Sequence, residues 1–190
     1  MRLVILGGPG AGKGTQSQRL CDRLKIPRVA MGDILRSAIT KQTDLGRKAE
    51  DYVKKGEFVP DEILIQFMRQ RLNEPDVSQG WVLEGYPRTA FQAEELDFLL
   101  EELAQKLDWA IYLQASEEVM RQRSLNRSLA DDQPEILQRR ITSFQERTVP
   151  ILEYYNPREK LLTIDATPNP EVVEQSILEE IGGWQQPLAN

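Results

Sequence analysis

Short runs of apolar residues alternate along this chain with longer segments whose apolar positions recur every three or four residues. The five short runs lie near residues 3, 28, 82, 111 and 162. Their length is typical of buried strands, whereas the segments between them predict helices, as Leu20 and Leu24 one turn apart illustrate. The alternation of strand and helix predicts a single α/β domain with a five-stranded parallel sheet and helices on both faces.

One segment departs from this alternation. Between the second and third predicted strands the pattern predicts three helices in succession, with no strand between them. This favours a helical insertion, at about residues 30–59, that could move as a lid over the sheet. Residues 185–190 read as a loose tail.

Several polar residues stand where helices are predicted to begin, and each is of a type that caps a helix N-terminus. These residues are Asp61, Thr89, Ser116, Asp132 and Asn169. Pro134 and Pro170 suit the first turn of a helix. The acids of the helix after Thr89, among them Asp97, are interpreted as its solvated face.

A glycine-rich segment follows the first predicted strand and opens the first helix. It runs Gly7-Gly8-Pro9-Gly10-Ala11-Gly12-Lys13-Gly14-Thr15. Glycines allow backbone N–H groups to surround an anion, the helix N-terminus attracts negative charge, and Lys13 can reach terminal phosphates. The segment therefore predicts a phosphate-binding loop for a nucleoside triphosphate. The general pattern places Ser or Thr directly after the lysine, whereas here Gly14 intervenes before Thr15.

Composition narrows the class of function. The 190 residues are 40% hydrophobic and carry a net charge of -6, which argues against duplex nucleic acid or an anionic membrane as partner. The chain has one cysteine and no histidine, which excludes an intrachain disulfide, histidine metal ligands and histidine general-base chemistry. No apolar leader or membrane-spanning run is visible, so we expect a cytoplasmic protein.

Charged residues recur where the predicted strands end. Glu84 closes the third strand, where it could orient water around Mg²⁺. Asp33 and Arg36, early in the second predicted helix, suit either a substrate site or a solvated surface. Five arginines share the expected location near the carboxyl ends of the strands, and we interpret them together as a phosphate-binding set: Arg36, Arg88, Arg123, Arg127 and Arg140.

The order and spacing of these motifs resemble the adenylate kinases, in their short-lid form, over essentially the whole chain. The matching segments are Gly7 to Gln16, Gly32 to Arg36, Val59-Pro60-Asp61, Gly85-Tyr86-Pro87-Arg88-Thr89 with Gln92, and Asp131-Asp132. The resemblance implies a P-loop NTPase-type three-layer fold in one domain, with residues 30–59 as the lid over the nucleoside monophosphate and 126–132 as a minimal ATP lid. It also implies reversible transfer of a phosphoryl group from ATP-Mg²⁺ to AMP by a monomer.

The resemblance assigns roles to individual residues. Those implied to bind ATP are Gly10, Ala11, Gly12, Lys13, Gly14, Thr15, Arg123, Arg127 and Pro168. Those implied to bind AMP are Met31, Arg36, Glu57, Phe58, Val59, Gly85, Tyr86, Pro87, Arg88, Gln92 and Arg140. Those implied to act on the transferring group are Lys13, Arg88, Arg123, Arg127 and Arg140, and Glu84 is implied to contact the metal through water.

Four positions differ from the family pattern. Met31 replaces a threonine beside the AMP base, Glu84 an aspartate, Leu129 a lid arginine and Pro168 a glycine beside the ATP adenine. Met31 keeps open a kinase of UMP or CMP as an alternative. Leu129 keeps open a nucleotide-binding regulator with weak catalysis.

Overall fold

Five parallel strands form the centre of the molecule. The computed structural model describes residues 1–55, 59–127 and 134–182. The strands are β1 (Arg2–Leu6), β2 (Arg28–Ala30), β3 (Trp81–Glu84), β4 (Trp109–Gln114) and β5 (Leu161–Asp165). All five lie where the sequence predicted them.

The strands are ordered β2-β3-β1-β4-β5, so β1 is central and β2 is an edge strand. The register places Ile5 of β1 beside Glu84 of β3 and beside Ile111 of β4. Because neighbouring strands are parallel, their carboxyl ends meet at one edge of the sheet, and the loop after β1 opens there.

Nine helices are described. They are α1 (Lys13–Leu24), α2 (Met31–Thr40), α3 (Asp44–Lys55), α4 (Asp61–Leu72), α5 (Ala90–Glu102), α6 (Glu117–Arg127), α7 (Pro134–Ser143), α8 (Pro150–Tyr155) and α9 (Pro170–Gly182). A π-helical turn, Phe144–Thr148, joins α7 to α8. Pro150 has no N–H to continue the helical ladder, so the chain restarts there as a new helix.

Both faces of the sheet are buried, which gives the three layers. Val4 and Leu6 pack into a core formed mainly with α2 to α5 and α8. Leu3 and Ile5, one residue out of phase, pack into a second core with α1 and α9. Alternate residues of the same strand therefore pack in opposite layers, which explains why the four residues from Leu3 to Leu6 are all apolar.

Three of the predicted caps are present. Thr89 Oγ1 accepts from Gln92 N at 3.1 Å, Ser116 Oγ from Val119 N at 3.3 Å, and Asn169 Oδ1 from Val172 N at 3.0 Å. Asp132 lies outside the described residues. Asp61 was predicted wrongly: Pro60 occupies the cap position, and Asp61 is the first residue of α4.

The three successive helices predicted between the second and third strands are present as α2, α3 and α4, but the third lies outside the range assigned to the insertion. The range 30–59 contains α2 and α3, whereas α4 begins beyond it and buries Phe67, Met68 and Leu72 in the core with α5. Asp97 of α5 was also interpreted wrongly as solvated, since it is half-buried against Tyr154. Among the described residues no helix is long and apolar enough to cross a membrane.

Candidate functional site

The glycine-rich loop connects the central strand to α1 through a backbone that only glycine adopts easily. Gly10 has φ +79° and Gly12 has φ +93°, both in the left-handed region. Gly12 stands at the N-cap of α1, and Lys13 is its first residue. The predicted phosphate loop therefore ends at a helix N-terminus, where unpaired N–H groups and the helix dipole favour an anion.

Lys13 lies back across this loop. Its Nζ donates to Gly8 O at 2.8 Å, while Ala11 N donates to the same oxygen at 3.2 Å. The ammonium group is thus held against the backbone of the loop itself. Ala11 is buried, whereas Gly14 and Thr15 are exposed at the start of α1.

The loop also packs against α6, a contact that the sequence did not reveal. A Cβ at Gly10 would overlap Met120 O and lie 2.8 Å from Ser124 Oγ, and a Cβ at Gly8 would overlap Met120 Sδ. Close packing by α6 therefore fixes the position of the loop. Residues 120 and 124, one turn apart, show only an ordinary helical spacing in the sequence, so no signal pointed to them.

Glu84 lies at the carboxyl end of β3, beside the loop. A Cβ built on Gly14 would be 3.6 Å from Glu84 Oε1, so that oxygen faces the first turn of α1. The other oxygen, Oε2, accepts from Arg28 Nε at 3.0 Å and Nη2 at 2.9 Å. Burial alone would lower the pKa of Arg28, but the hydrogen bond and charge of Glu84 and the charge of Asp33 raise it. Arg28 was not among the predicted site residues.

Arg88 occupies the turn that follows β3. Gly85 has φ +80°, and its carbonyl accepts from Arg88 Nε at 2.9 Å. Arg88 is exposed to solvent as a residue, but surrounding protein atoms desolvate its guanidinium and lower its pKa. The like charge of Arg140 lowers the pKa of Arg88 further, whereas the charge of Glu84 raises it. The structure therefore brings Glu84, Arg88 and Arg140 close enough to interact electrostatically.

Several of the predicted AMP residues belong to this turn or pack in the core beside it. Met31 begins α2 and is buried, with its Cβ 3.8 Å from the position of a Cβ at Gly85. Tyr86 and Pro87 are buried, and Val59 packs partly buried on the same core. Burial raises the pKa of the Tyr86 hydroxyl, so this tyrosine stays neutral.

Two predicted AMP residues are already paired with protein groups. Arg36 is exposed and forms an ion pair with Asp33 three residues earlier on α2. Gln92 is buried, and its amide accepts from Arg88 N at 2.7 Å and donates to Asp61 Oδ1 at 2.6 Å.

Arg123 contacts the loop between β5 and α9. Its guanidinium donates to the carbonyl oxygens of Ala166 and Thr167, each at 2.7 Å, and of Pro168 at 3.3 Å. The structure thus brings together Arg123 and Pro168, two predicted ATP residues, and directs the described hydrogen bonds of Arg123 to backbone carbonyls.

Some predicted site residues cannot be placed. Glu57, Phe58 and Leu129 lie outside the described residues, as do the tail at 185–190 and most of the predicted ATP lid. Arg127 ends α6, but its side chain also lies outside the described part of the chain.

Comparison with known proteins agrees with this arrangement. A family model described as adenylate kinase matches residues 5–160. Adenylate kinase 2 of Nostoc sp. is 65% identical over 178 residues, covering 94% of this chain and 97% of the relative. Adenylate kinase 2 of Synechocystis sp. is 58% identical over 94% of this chain and 98% of its own length. Adenylate kinase of Corynebacterium urealyticum is 42% identical over 94% and 97%.

Proposed function

This chain belongs to the adenylate kinase family, and on that premise we propose that it transfers a phosphoryl group reversibly between ATP and AMP, with ADP as both products. The observation that carries this proposal is the position of Lys13. It begins α1 at the loop after the central strand, on the same sheet edge as Glu84 and Arg88. A donor phosphate at the loop and an acceptor phosphate at Arg88 would meet at that edge.

The reaction breaks the bond between the γ-phosphorus of ATP and its bridging oxygen and forms a bond to an oxygen of the AMP phosphate. That acceptor oxygen is already anionic at neutral pH, so no side chain has to remove a proton from it. This agrees with a chain that contains no histidine. Catalysis then depends on alignment of the two nucleotides and on electrostatic stabilisation of the transferring group.

The charged residues have different roles in this reaction. Lys13 and the N–H groups from Gly10 to Thr15 hold the ATP phosphates. Arg36 and Arg88 bind the AMP phosphate, and Arg88, Arg127 and Arg140 surround the group in transfer. Arg123 holds the loop between β5 and α9 that is expected to contact the ATP adenine. Support comes from the proximity of Arg88 and Arg140. Their like charges repel each other in the free enzyme, and a phosphate bound between them would offset this repulsion.

We propose that Mg²⁺ arrives with ATP and is oriented through water by Glu84. The residues fit this role, because Glu84 Oε1 faces the first turn of α1 at Gly14 while Oε2 is bound by Arg28. When bound, the ion neutralises phosphate charge and aligns the phosphate groups. Within the described residues no group of three or more His, Cys, Asp or Glu side chains could hold a metal.

We further propose that segments 30–59 and 126–132 close over the two nucleotides and exclude water, which would otherwise accept the phosphoryl group.

The net charge of -6 supports a protein without nucleic-acid or anionic-membrane partners, and the single cysteine supports a cytoplasmic setting. We propose a monomer. The names of the relatives do not favour the UMP or CMP kinase or the regulator alternative.

A coupled assay tests the function: ADP formation is measured with ATP-Mg²⁺ and with AMP, UMP or CMP in turn. We expect AMP to give the highest kcat/KM. Lys13→Ala should lower kcat by about 10³-fold, since one preorganised cationic donor is lost, without lowering Tm. Lys106→Ala is the control, because Lys106 is exposed before β4 at the opposite edge of the sheet. A Lys13→Ala enzyme with most of its activity would contradict the phosphate-loop assignment.

A further inference from the structure

Arg28 reaches Glu84 from a neighbouring strand. Arg28 begins the edge strand β2, and the register places it beside Val82, two residues before Glu84. Because alternate residues of a strand share a face, the side chains of residues 28, 82 and 84 lie on the same side of the sheet. The Arg28 side chain extends toward the carboxyl ends of the strands and donates twice to Glu84 Oε2, at 3.0 and 2.9 Å.

Arg28 also reaches the helix that carries a proposed AMP-binding arginine. Its Nη1 donates to Asp33 Oδ2 at 3.2 Å, and Asp33 Oδ1 accepts from Arg36 Nη2. Glu84, Arg28, Asp33 and Arg36 therefore form a row of alternating charges. We call this row the ion-pair row; it runs from Glu84, beside the first turn of α1, to Arg36 on α2.

The two ends of the ion-pair row differ in side-chain exposure. The side chains of Glu84 and Arg28 are 17% and 32% exposed, whereas those of Asp33 and Arg36 are 55% and 72% exposed. Solvent screens the outer pair more than the inner one, so Asp33–Arg36 is the weaker contact. Arg36 can leave Asp33 for a phosphate dianion while Arg28 stays on both carboxylates.

We propose that Arg28 is a positioning residue for phosphoryl transfer, which holds Glu84 toward α1 and keeps Asp33 paired when Arg36 moves to the acceptor phosphate. This inference rests on the proposed function. Without Arg28, Asp33 would have Arg36 as its remaining partner in the ion-pair row. Asp33 would then compete with the AMP phosphate for Arg36. Glu84 would be free to take other rotamers beside the phosphate loop, and both carboxylates would repel the nucleotides.

Arg28→Gln in the full chain tests this. Binding of AMP is measured by calorimetry without ATP or Mg²⁺, and kcat and KM are measured with both substrates. Loss of a group that orients a functional carboxylate costs about 10- to 100-fold in activity, and we expect kcat to fall in that range. The Kd for AMP should rise severalfold. Arg28 borders an open cavity of about 390 Å³, so the shorter side chain leaves water and not a dry void.

Arg19→Gln is the matched control. Arg19 has the same side-chain exposure, 32%, and also contacts two acids, Glu171 and Glu174, but it joins α1 to α9. We expect this variant to keep kcat and the Kd for AMP within twofold of the parent. Any loss of ion-pair stability should appear as a similar decrease in Tm for both variants.

Two further variants separate positioning from a structural role. Asp33→Asn added to Arg28→Gln should restore the Kd for AMP, because the competitor for Arg36 is removed. Arg28→Lys keeps the charge but cannot bind both carboxylates in the same way, so it should retain part of kcat; it also serves as the test if Arg28→Gln does not fold. The inference would be overturned if a folded, active Arg28→Gln or Arg28→Lys enzyme had kinetic constants and a Kd for AMP within twofold of the parent. That result would leave the proposed function intact. A parent that forms no ADP would instead contradict the proposed function, and the AMP-binding measurements would still decide the role of Arg28.

Discussion

The side-chain amide of Gln92 donates a hydrogen bond of 2.6 Å to Oδ1 of Asp61, and this contact ties the first turn of α5 to the first turn of α4. The same amide accepts from Arg88 N at 2.7 Å. Gln92 is therefore held in one orientation beside the turn that carries a proposed AMP-binding arginine. A fixed amide can still offer its second N–H and its second lone pair to a base.

Gln92→Leu should weaken recognition of the acceptor base. The substitution removes both polar functions and leaves the carboxylate of Asp61 and the N–H of Arg88 without this partner. Loss of a hydrogen bond to the base costs about 1–3 kcal/mol of transition-state binding, so kcat/KM for AMP should fall by about tenfold or more, and by less for CMP. Kinetics with both acceptors measure this. Asp61→Asn is the comparison, because it keeps an acceptor oxygen for Gln92; unchanged kcat/KM for AMP in Gln92→Leu would rule out a role in base recognition.

Arg123→Gln should raise KM for ATP more than it lowers kcat. The guanidinium contacts the carbonyls of Ala166, Thr167 and Pro168, so its loss releases the loop expected to hold the ATP adenine. We expect KM for ATP to rise by about tenfold, because the loop loses one to two hydrogen bonds from a charged donor. Arg121→Gln is the control on the same helix, since Arg121 contacts Glu117 one turn away.

The opposite kinetic result would be equally informative. A large decrease in kcat with unchanged KM would mean that Arg123 acts on the transition state, as the family resemblance implies, and that its contacts with the loop break during catalysis.

The glycines of the phosphate loop should differ in their tolerance of alanine. A Cβ at Gly12 would meet nothing within 4 Å, so Gly12→Ala carries only the strain of a left-handed φ, about 1–2 kcal/mol. A Cβ at Gly10 would have the same strain and would also overlap the backbone of Met120. Thermal unfolding should therefore show a larger decrease in Tm for Gly10→Ala. Equal decreases would mean that α6 moves away from the loop at little cost.

The pattern of apolar positions predicted the sheet, because strand and helix periods are local properties of the sequence. The same is true of the caps at Thr89 and Asn169, whose partners are three residues away. Asp61 was predicted wrongly because its partner, Gln92, lies 31 residues later. A local pattern contains no information about such a contact.

Arg28 shows the same limit within the site. Its contact with Glu84 depends on β2 lying beside β3, and strand order is set by the packing of the whole sheet. The sequence could identify Glu84 as an acid at a strand end, but not the residue that orients it.

Asp97 provides the pH-dependent prediction. Burial against α8 raises the pKa of its carboxyl above the ordinary value; the hydrogen bond from Tyr154 Oη, at 2.9 Å, and the charges of Arg158 and Lys160 oppose this without cancelling it. A raised pKa in the folded state means that folding favours the protonated acid. Its contribution to stability is complete below the unfolded pKa, about 3.9, and is lost as the pH rises through the folded pKa.

Asp97→Asn should therefore raise Tm at neutral pH. Asparagine keeps an oxygen that accepts from Tyr154 but carries no charge to desolvate. The difference in Tm between variant and parent should shrink as the pH falls from 7 toward 3.5, because the parent becomes neutral at this position as well. Glu94→Gln on the exposed side of α5 is the control, and its difference from the parent should not follow this course. A Tm difference for Asp97→Asn that is negative at pH 7, or that grows as the pH falls, would show that the charged carboxylate stabilises the contact between α5 and α8, with the hydrogen bond from Tyr154 outweighing desolvation.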